Sequence, residues 1–353
     1  MATPQSLDSL GRPLGVLRLS LTARCNLACP YCLPDGQEPA GLLTLPQRLA
    51  VIQAAVALGA GSLRLTGGEP LLHAGLEELI EAVQPLRRSG AGEAESAPGL
   101  AEIALTSNGT LLSPSRAQAL HAAGLDRITL SLDGADGASV ARMAGLQDAL
   151  AGERTLAAVL AAIGNARVAG FDPAAGALKL NAVIQRGRND DQLLPMAALG
   201  RREGLELRLI EYMDVGNRNG WSPADVVSAS EMTERISARW PLERDERQAH
   251  STARRWRYRD GAGGIAVVAS VSQPFCGDCN RLRVTADGVA YTCLFAAPSS
   301  GLDLKPWLQP SRDPRGLEQA FTELWHSRRD RYSEERQASP GGRRHAEMAY
   351  LGG

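Results

Sequence analysis

The chain has 353 residues, 44% hydrophobic and 22% charged, with a formal net charge of −1. This is ordinary globular composition with room for a sizeable core. The near-neutral balance provides no long-range field for nucleic acid, so a nucleotide would need locally placed cations. No apolar run approaches the roughly 20 residues that span a bilayer, and Met1–Pro13 lacks the charged-then-apolar layout of a signal peptide. The expectation is a cytoplasmic protein with neither a membrane nor a nucleic-acid partner.

In chain order, the first strand is predicted at Val16–Leu21, and it runs straight into the loop Leu21-Thr22-Ala23-Arg24-Cys25-Asn26-Leu27-Ala28-Cys29-Pro30-Tyr31-Cys32. Three residues separate Cys25 from Cys29, and two separate Cys29 from Cys32. A loop of this length can wrap one iron–sulfur cubane. A 4Fe–4S cluster normally takes four cysteines, so three leave one iron open for chemistry. Zinc is the alternative, but it asks for four Cys or His ligands. None of the five histidines is near this loop in sequence, so zinc would need a distant fourth ligand.

A second strand at Ser62–Thr66 leads into Thr66-Gly67-Gly68-Glu69-Pro70, two glycines that allow close backbone approach followed by a carboxylate able to pair with an ammonium. A helix from Gly75 would place Leu76, Leu79, Ile80, Val83 and Leu86 on one face. Ser89–Gly99 reads as a surface insertion. Strands follow at Ile103–Thr106, Arg127–Leu132, Ala177–Ile184 and Leu205–Ile210. A helix from Arg154 carries Leu156, Val159, Leu160 and Ile163 on its apolar face. Strand–helix alternation of this kind implies a parallel sheet with helical crossovers. Periodicity leaves an open doubly wound sheet and a full or partial barrel both available, and sites gather at the C-terminal strand ends in each.

Four of these strands carry a cation between leucines: Arg18, Arg64, Lys179 and Arg208. Alternation sends the leucines to one face and the cation to the other. A buried unpaired cation is costly, and arginine forks grip phosphate oxygens in pairs. A polyanion such as a triphosphate would satisfy them. Asp133, Glu69 and Glu211 are competing acidic partners. There is no Walker-type loop.

The alternation stops near Met213, and Gly216–Pro223 reads as a turn-rich linker. The predicted division is 9–250 for the main domain and 251–353 for a second region. That region carries Cys276, Cys279 and Cys293, with Asn280-Arg281-Leu282-Arg283 following the first pair. Two residues and then thirteen separate these cysteines. The economical reading is a second 4Fe–4S cluster with its own open iron, which a heterocycle could fill; a zinc knuckle short of one ligand is the alternative. Arg328–Arg344 reads as a solvated helix face and a loop.

The C-x-x-x-C-x-x-C loop, with Tyr31 before its last cysteine, resembles the radical S-adenosylmethionine (SAM) superfamily. The segments RLSLTARCNLACPYCLPDG, RLTGGEP, LTSNG, LRLIEYM and FCGDCNRLRVTADGVAYTCLF, with the terminal Gly352-Gly353, further resemble the GTP 3′,8-cyclase family of molybdenum cofactor biosynthesis. The resemblance implies an α/β fold, an incomplete (βα)6 TIM-like barrel closed by a C-terminal auxiliary-cluster domain. It implies two 4Fe–4S clusters, on Cys25, Cys29 and Cys32 and on Cys276, Cys279 and Cys293.

In this family SAM is expected at Tyr31, Gly68, Ser131 and Met213, with Glu69 beside its amino group. GTP is expected at Arg18, Arg64, Thr106, Lys179, Arg281, Leu282 and Arg283, with Arg208 added to the triphosphate set. Gly352 and Gly353 are expected to reach into the active site. An adenosyl radical would take hydrogen from ribose C3′, and C3′ would then bond to guanine C8, giving 3′,8-cyclo-7,8-dihydro-GTP. An external electron donor is required. A partner synthase would make cyclic pyranopterin monophosphate from the product, and the chain itself would be a monomer or homodimer. The chain departs from the family at Leu71–Gly75, where a basic pair is common, at Ala144, where Thr is common, and at the 89–99 insertion. A radical SAM enzyme acting on a peptide and a non-catalytic zinc module are the competing readings.

Overall fold

The computed structural model describes residues 6–34, 36–88, 99–247, 250–336 and 344–352. Most of the Ser89–Gly99 insertion, and Gly353, lie outside the described residues.

One twelve-stranded sheet runs through the chain. The six predicted strands form as β1 (Val16–Ser20), β2 (Ser62–Thr66), β3 (Glu102–Ser107), β4 (Arg127–Ser131), β5 (Leu178–Ile184) and β6 (Glu206–Glu211). They lie side by side in chain order and are parallel throughout. After them come β7 (Leu242–Arg244), β8 (Arg254–Tyr258), β9 (Gly264–Val268), β10 (Arg281–Val284), β11 (Val289–Tyr291) and β12 (Leu302–Asp303). Strand β9 joins β6 in parallel and β10 joins β1 in parallel, so the later region adds one strand to each flank of the six. Antiparallel β8 and β7 continue from β9, and β11 and β12 from β10. Among the described residues no pairing joins the two flanks, and the barrel stays open.

The crossovers are α1 (Leu45–Ala57), α2 (Leu76–Ala82), α3 (Pro114–Ala122), α4 (Gly137–Ala144), α5 (Ala149–Val168) and α6 (Leu193–Arg202). They are followed by α7 (Ala229–Arg239), α8 (Lys305–Leu308) and α9 (Pro314–His326). The Leu-cation-Leu pattern explains how sheet and helices pack. Leu17, Leu19, Leu63, Leu65, Leu178, Leu180, Leu207 and Leu209 are all at most 1% exposed. They join Leu76, Leu79, Ile80, Val159 and Ile163 of the predicted helix faces in one core. Each such leucine contributes about 2 kcal/mol by leaving water. The intervening cations therefore point into the arc. Asp148 starts α5 by accepting from Ala151 N at 2.7 Å, an N-cap that fixes where the crossover turns. Among the described residues no helix is long and apolar enough to cross a membrane.

Candidate active site

The first cysteine group sits on the irregular stretch between β1 and α1, at the C-terminal end of the first strand. Backbone bonds fasten it there. Gly68 N donates to Thr22 O at 2.7 Å, Glu69 N to Arg24 O at 2.8 Å, and Ala28 N to Ala144 O at 3.1 Å. At Gly68 a side chain has no room: a Cβ would stand 2.2 Å from Arg24 O. Glu69 is buried, and its carboxylate accepts from Leu71 N, Ser107 Oγ and Asn108 N at 2.7–3.0 Å. Burial pushes its pKa up while these donors pull it down, and the net direction is upward. The carboxylate thus ties the GGEP turn to the end of β3 through donors within the chain.

Tyr31 and Ser131 line a small pocket beneath the loop together with Cys29 and Asp133. The Tyr31 hydroxyl donates to Asp133 Oδ2 at 2.7 Å. Met213 opens instead onto the main cavity inside the arc. In place of the family's basic pair, His73 Nε2 lies 2.5 Å from Arg48 Nη1, and Arg48 Nη2 donates to Leu21 O at 3.0 Å.

The main cavity gathers Arg18, Arg64, Thr106, Arg208, Arg281 and Arg283 with all three cysteines of the second group. The sheet explains why the cations meet. Arg283, Arg18 and Arg64 are register partners across β10, β1 and β2, so three guanidinium side chains stand in a row on one face. Burial and then the neighbouring charges of Arg283, Arg64 and Arg281 hold the Arg18 pKa well below its usual value. Burial and then Arg127 bring Arg64 down to about 9; burial and then Arg281 bring Arg283 down to about 10. Arg64 Nε, Arg208 Nε, Asn181 Oδ1 and Ser270 Oγ are buried around the same cavity without a hydrogen-bond partner among the described residues. Each such atom costs about 1–3 kcal/mol until a ligand or water meets it. A polyanion would relieve both the crowding and the orphaned donors.

Two predicted contacts stand elsewhere. Lys179 is a register partner of Glu206 and pairs with it at 3.0 Å, off the cavity lining. Leu282 is 1% exposed in the hydrophobic core. The tail does reach the row of arginines: Gly352 O accepts from Arg18 Nη2 at 3.0 Å and Arg283 Nη1 at 3.3 Å. A Cβ on Gly352 would meet Thr66 Oγ1 at 2.3 Å, and its φ of +67° also suits glycine.

Sequence reasoning missed Arg127, Asn181 and Arg328 on the cavity wall. Arg127 opens the predicted fourth strand, so the cation-in-strand pattern could have found it; its guanidinium is held by Glu102 at 2.5 Å. Nothing local marks Arg328.

None of the six cysteines is in a disulfide. Among the described residues no three Cys, His, Asp or Glu side chains converge as they would around a single ion. Thiolates on a cubane bind different irons and need not converge. Sulfur-directed donors are present at both groups: Leu27 N to Cys25 Sγ at 3.5 Å, Phe295 N to Cys293 Sγ at 3.4 Å, and Arg281 and Arg328 to Cys279 Sγ, each at 3.1 Å. Burial pushes the Cys279 thiol up, but Arg281 and Arg328 outweigh it and bring it down to about 6. The residues fit clusters ligated by thiolates, whose potentials respond to hydrogen bonds of this kind.

An open parallel α/β arc with a three-cysteine loop after its first strand defines the radical SAM class of enzyme. The Radical SAM superfamily model matches residues 19–200, and Molybdenum Cofactor Synthesis C matches residues 205–334. The GTP 3′,8-cyclase of Synechococcus sp. (strain CC9605) is 62% identical over 347 residues, covering 98% of each chain. That of Acidothermus cellulolyticus is 42% identical over 382 residues, again covering 98% of each. The chain belongs to the GTP 3′,8-cyclase family. Among solved structures, Streptococcus suis SuiB bound to precursor peptide SuiA aligns with a TM-score of 0.60 at 13% identity, over 90% of this chain and 65% of that one. Native anSMEcpe with bound AdoMet aligns at 0.53 and 14% identity, over 96% and 94%. At such identities the likeness is one of fold.

Proposed function

We propose that the chain converts GTP to (8S)-3′,8-cyclo-7,8-dihydroguanosine 5′-triphosphate, using SAM and an external electron donor, as the first step of molybdenum cofactor biosynthesis. The observation that carries this reading is the row Arg283, Arg18 and Arg64, from three adjacent strands, facing one cavity with the second cysteine group. Cys25, Cys29 and Cys32 would hold the first cluster, which together with SAM would supply radical chemistry at ribose C3′. The chain's own part is to bind, orient and exclude water.

In this reading Arg18, Arg64, Arg208, Arg281 and Arg283 take the triphosphate, and Thr106 lies beside them. Lys179 would join by leaving Glu206, and Leu282 would contribute through its backbone. Tyr31, Gly68, Ser131 and Met213 would contact SAM, with Glu69 bracing the Gly68 turn. Cys276, Cys279 and Cys293 would hold a second cluster near the guanine, and Gly352 and Gly353 would insert the tail beside the phosphates. Residues 9–250 form the core in this proposal, and 251–353 complete the substrate site. A cytoplasmic location, a monomer or homodimer, and product hand-off to a cyclic pyranopterin monophosphate synthase belong to the same reading.

The test is anaerobic incubation with SAM, dithionite and GTP, followed by mass spectrometry. A GTP-derived product isomeric with GTP, formed with 5′-deoxyadenosine, is expected. Intact GTP alongside GTP-independent SAM cleavage would remove the substrate assignment.

A further inference from the structure

We propose that Arg328 is a positioning residue for the second cysteine group, holding Cys279 in place and raising the reduction potential of the cluster bound there. This rests on the two-cluster reading above. Arg328 lies just past the end of α9, and its side chain is 1% exposed. Its guanidinium forks onto one residue: Nη2 donates to Cys279 Sγ at 3.1 Å and Nη1 to Cys279 O at 2.6 Å. The fork is braced from behind. It packs 4.7 Å from the Trp325 ring, and Asp8, 320 positions away in sequence, lies 3.4 Å from Nη1.

Arg12 completes the brace. It pairs with Asp8 at 2.5 Å and donates to the carbonyls of Cys276 and Asp330, each at 2.8 Å. The Trp325 indole donates to Arg12 O at 3.1 Å. The stretch before β1 and the stretch after α9 therefore meet behind the second cysteine group and grip its loop through two carbonyls and a sulfur.

Arg281 also donates to Cys279 Sγ, but the two arginines have different surroundings. Arg281 is half-buried and is placed in the phosphate set, so its bond is exposed to competition from substrate. Arg328 also reaches the cavity wall, but its side chain is 1% exposed and paired with Asp8 and Asp330, each at 3.4 Å, so its bond to Cys279 is held from behind and is less open to competition from substrate. A persistent positive donor on a ligating sulfur favours the more negative, reduced form of a cluster, which moves the potential upward.

The experiment uses the full chain, reconstituted anaerobically, as wild type, R328Q and R328K. Iron is counted, and each cluster's midpoint is read by EPR-monitored redox titration, the first cluster serving as internal control. R328Q is expected to keep about eight irons and to show a more negative midpoint at the second cluster only. Selective loss of the second cluster's iron from R328Q, with R328K retaining it, is the other expected result, because an ammonium keeps the charge beside the sulfur. A fully loaded R328Q with both midpoints at wild-type values would overturn the proposal. Wild type that binds only about four irons would instead refute the two-cluster reading, and this inference with it.

Discussion

Arg18 and Arg283 are partners across the parallel β1–β10 pair, and both donate to the same carbonyl, that of Gly352. Two like charges on adjacent strands repel, and both line the main cavity. The Gly352 carbonyl dipole offsets part of this repulsion. The register that creates the repulsion also lines the two guanidinium groups up side by side, as the proposed phosphate contact requires.

Replacing Arg283 by Ala is expected to leave both clusters loaded and to raise the KM for GTP. A charge-assisted hydrogen bond is worth about 1.5–3 kcal/mol, which corresponds to roughly ten- to hundredfold. Thermal stability should hold or rise, because one of three crowded guanidinium groups is gone. Steady-state kinetics and a melting curve check both halves; unchanged GTP kinetics would remove Arg283 from the substrate site.

Cys25→Ala removes one of three thiolates from the first group. The expected protein keeps the second cluster's roughly four irons and forms no 5′-deoxyadenosine with dithionite and SAM. Retained SAM cleavage would contradict the assignment of this loop.

At Gly68 a single methyl group meets backbone rather than a movable side chain, 2.2 Å from Arg24 O. Gly68→Ala must push the GGEP turn away from the cysteine loop at a cost of about 1–3 kcal/mol. Weaker SAM binding by calorimetry and partial loss of the first cluster's iron are expected. Wild-type SAM affinity would mean the turn can yield without consequence.

His73 provides a pH test. Burial, and then the neighbouring charge of Arg48, bring its pKa down to about 4 from an ordinary value near 6.5. Between those values the unfolded chain binds the proton and the folded chain does not, so stability falls as pH drops through that window. His73→Asn cannot take up this proton. The difference in urea midpoint between pH 7 and pH 5 should be smaller in the variant than in wild type. Equal differences would show that His73 does not titrate as placed.

Much of this protein was legible from local chemistry. Each cysteine triplet lies within eighteen consecutive residues, and short chain spacing alone limits where their sulfurs go. The Leu-cation-Leu strands were equally readable, because alternation in a strand assigns faces without knowledge of neighbours. The parallel flanks β9 and β10 were not legible. They lie outside the regular strand–helix alternation that marks the first six strands, and their partners β6 and β1 are distant in sequence.

Which cations serve the cavity was likewise decided by tertiary structure. Lys179 and Arg208 look alike in sequence, and both pair with Glu206, at 3.0 and 3.8 Å, but of the two Arg208 is the one that lines the cavity. Arg328 reaches Cys279 only because the two ends of the chain are packed together. Sequence spacing determined what each segment could bind. The sheet register and the long-range pairings determined which charges were neutralised by neighbours and which remained facing the site, because electrostatic partnership depends on distance in space.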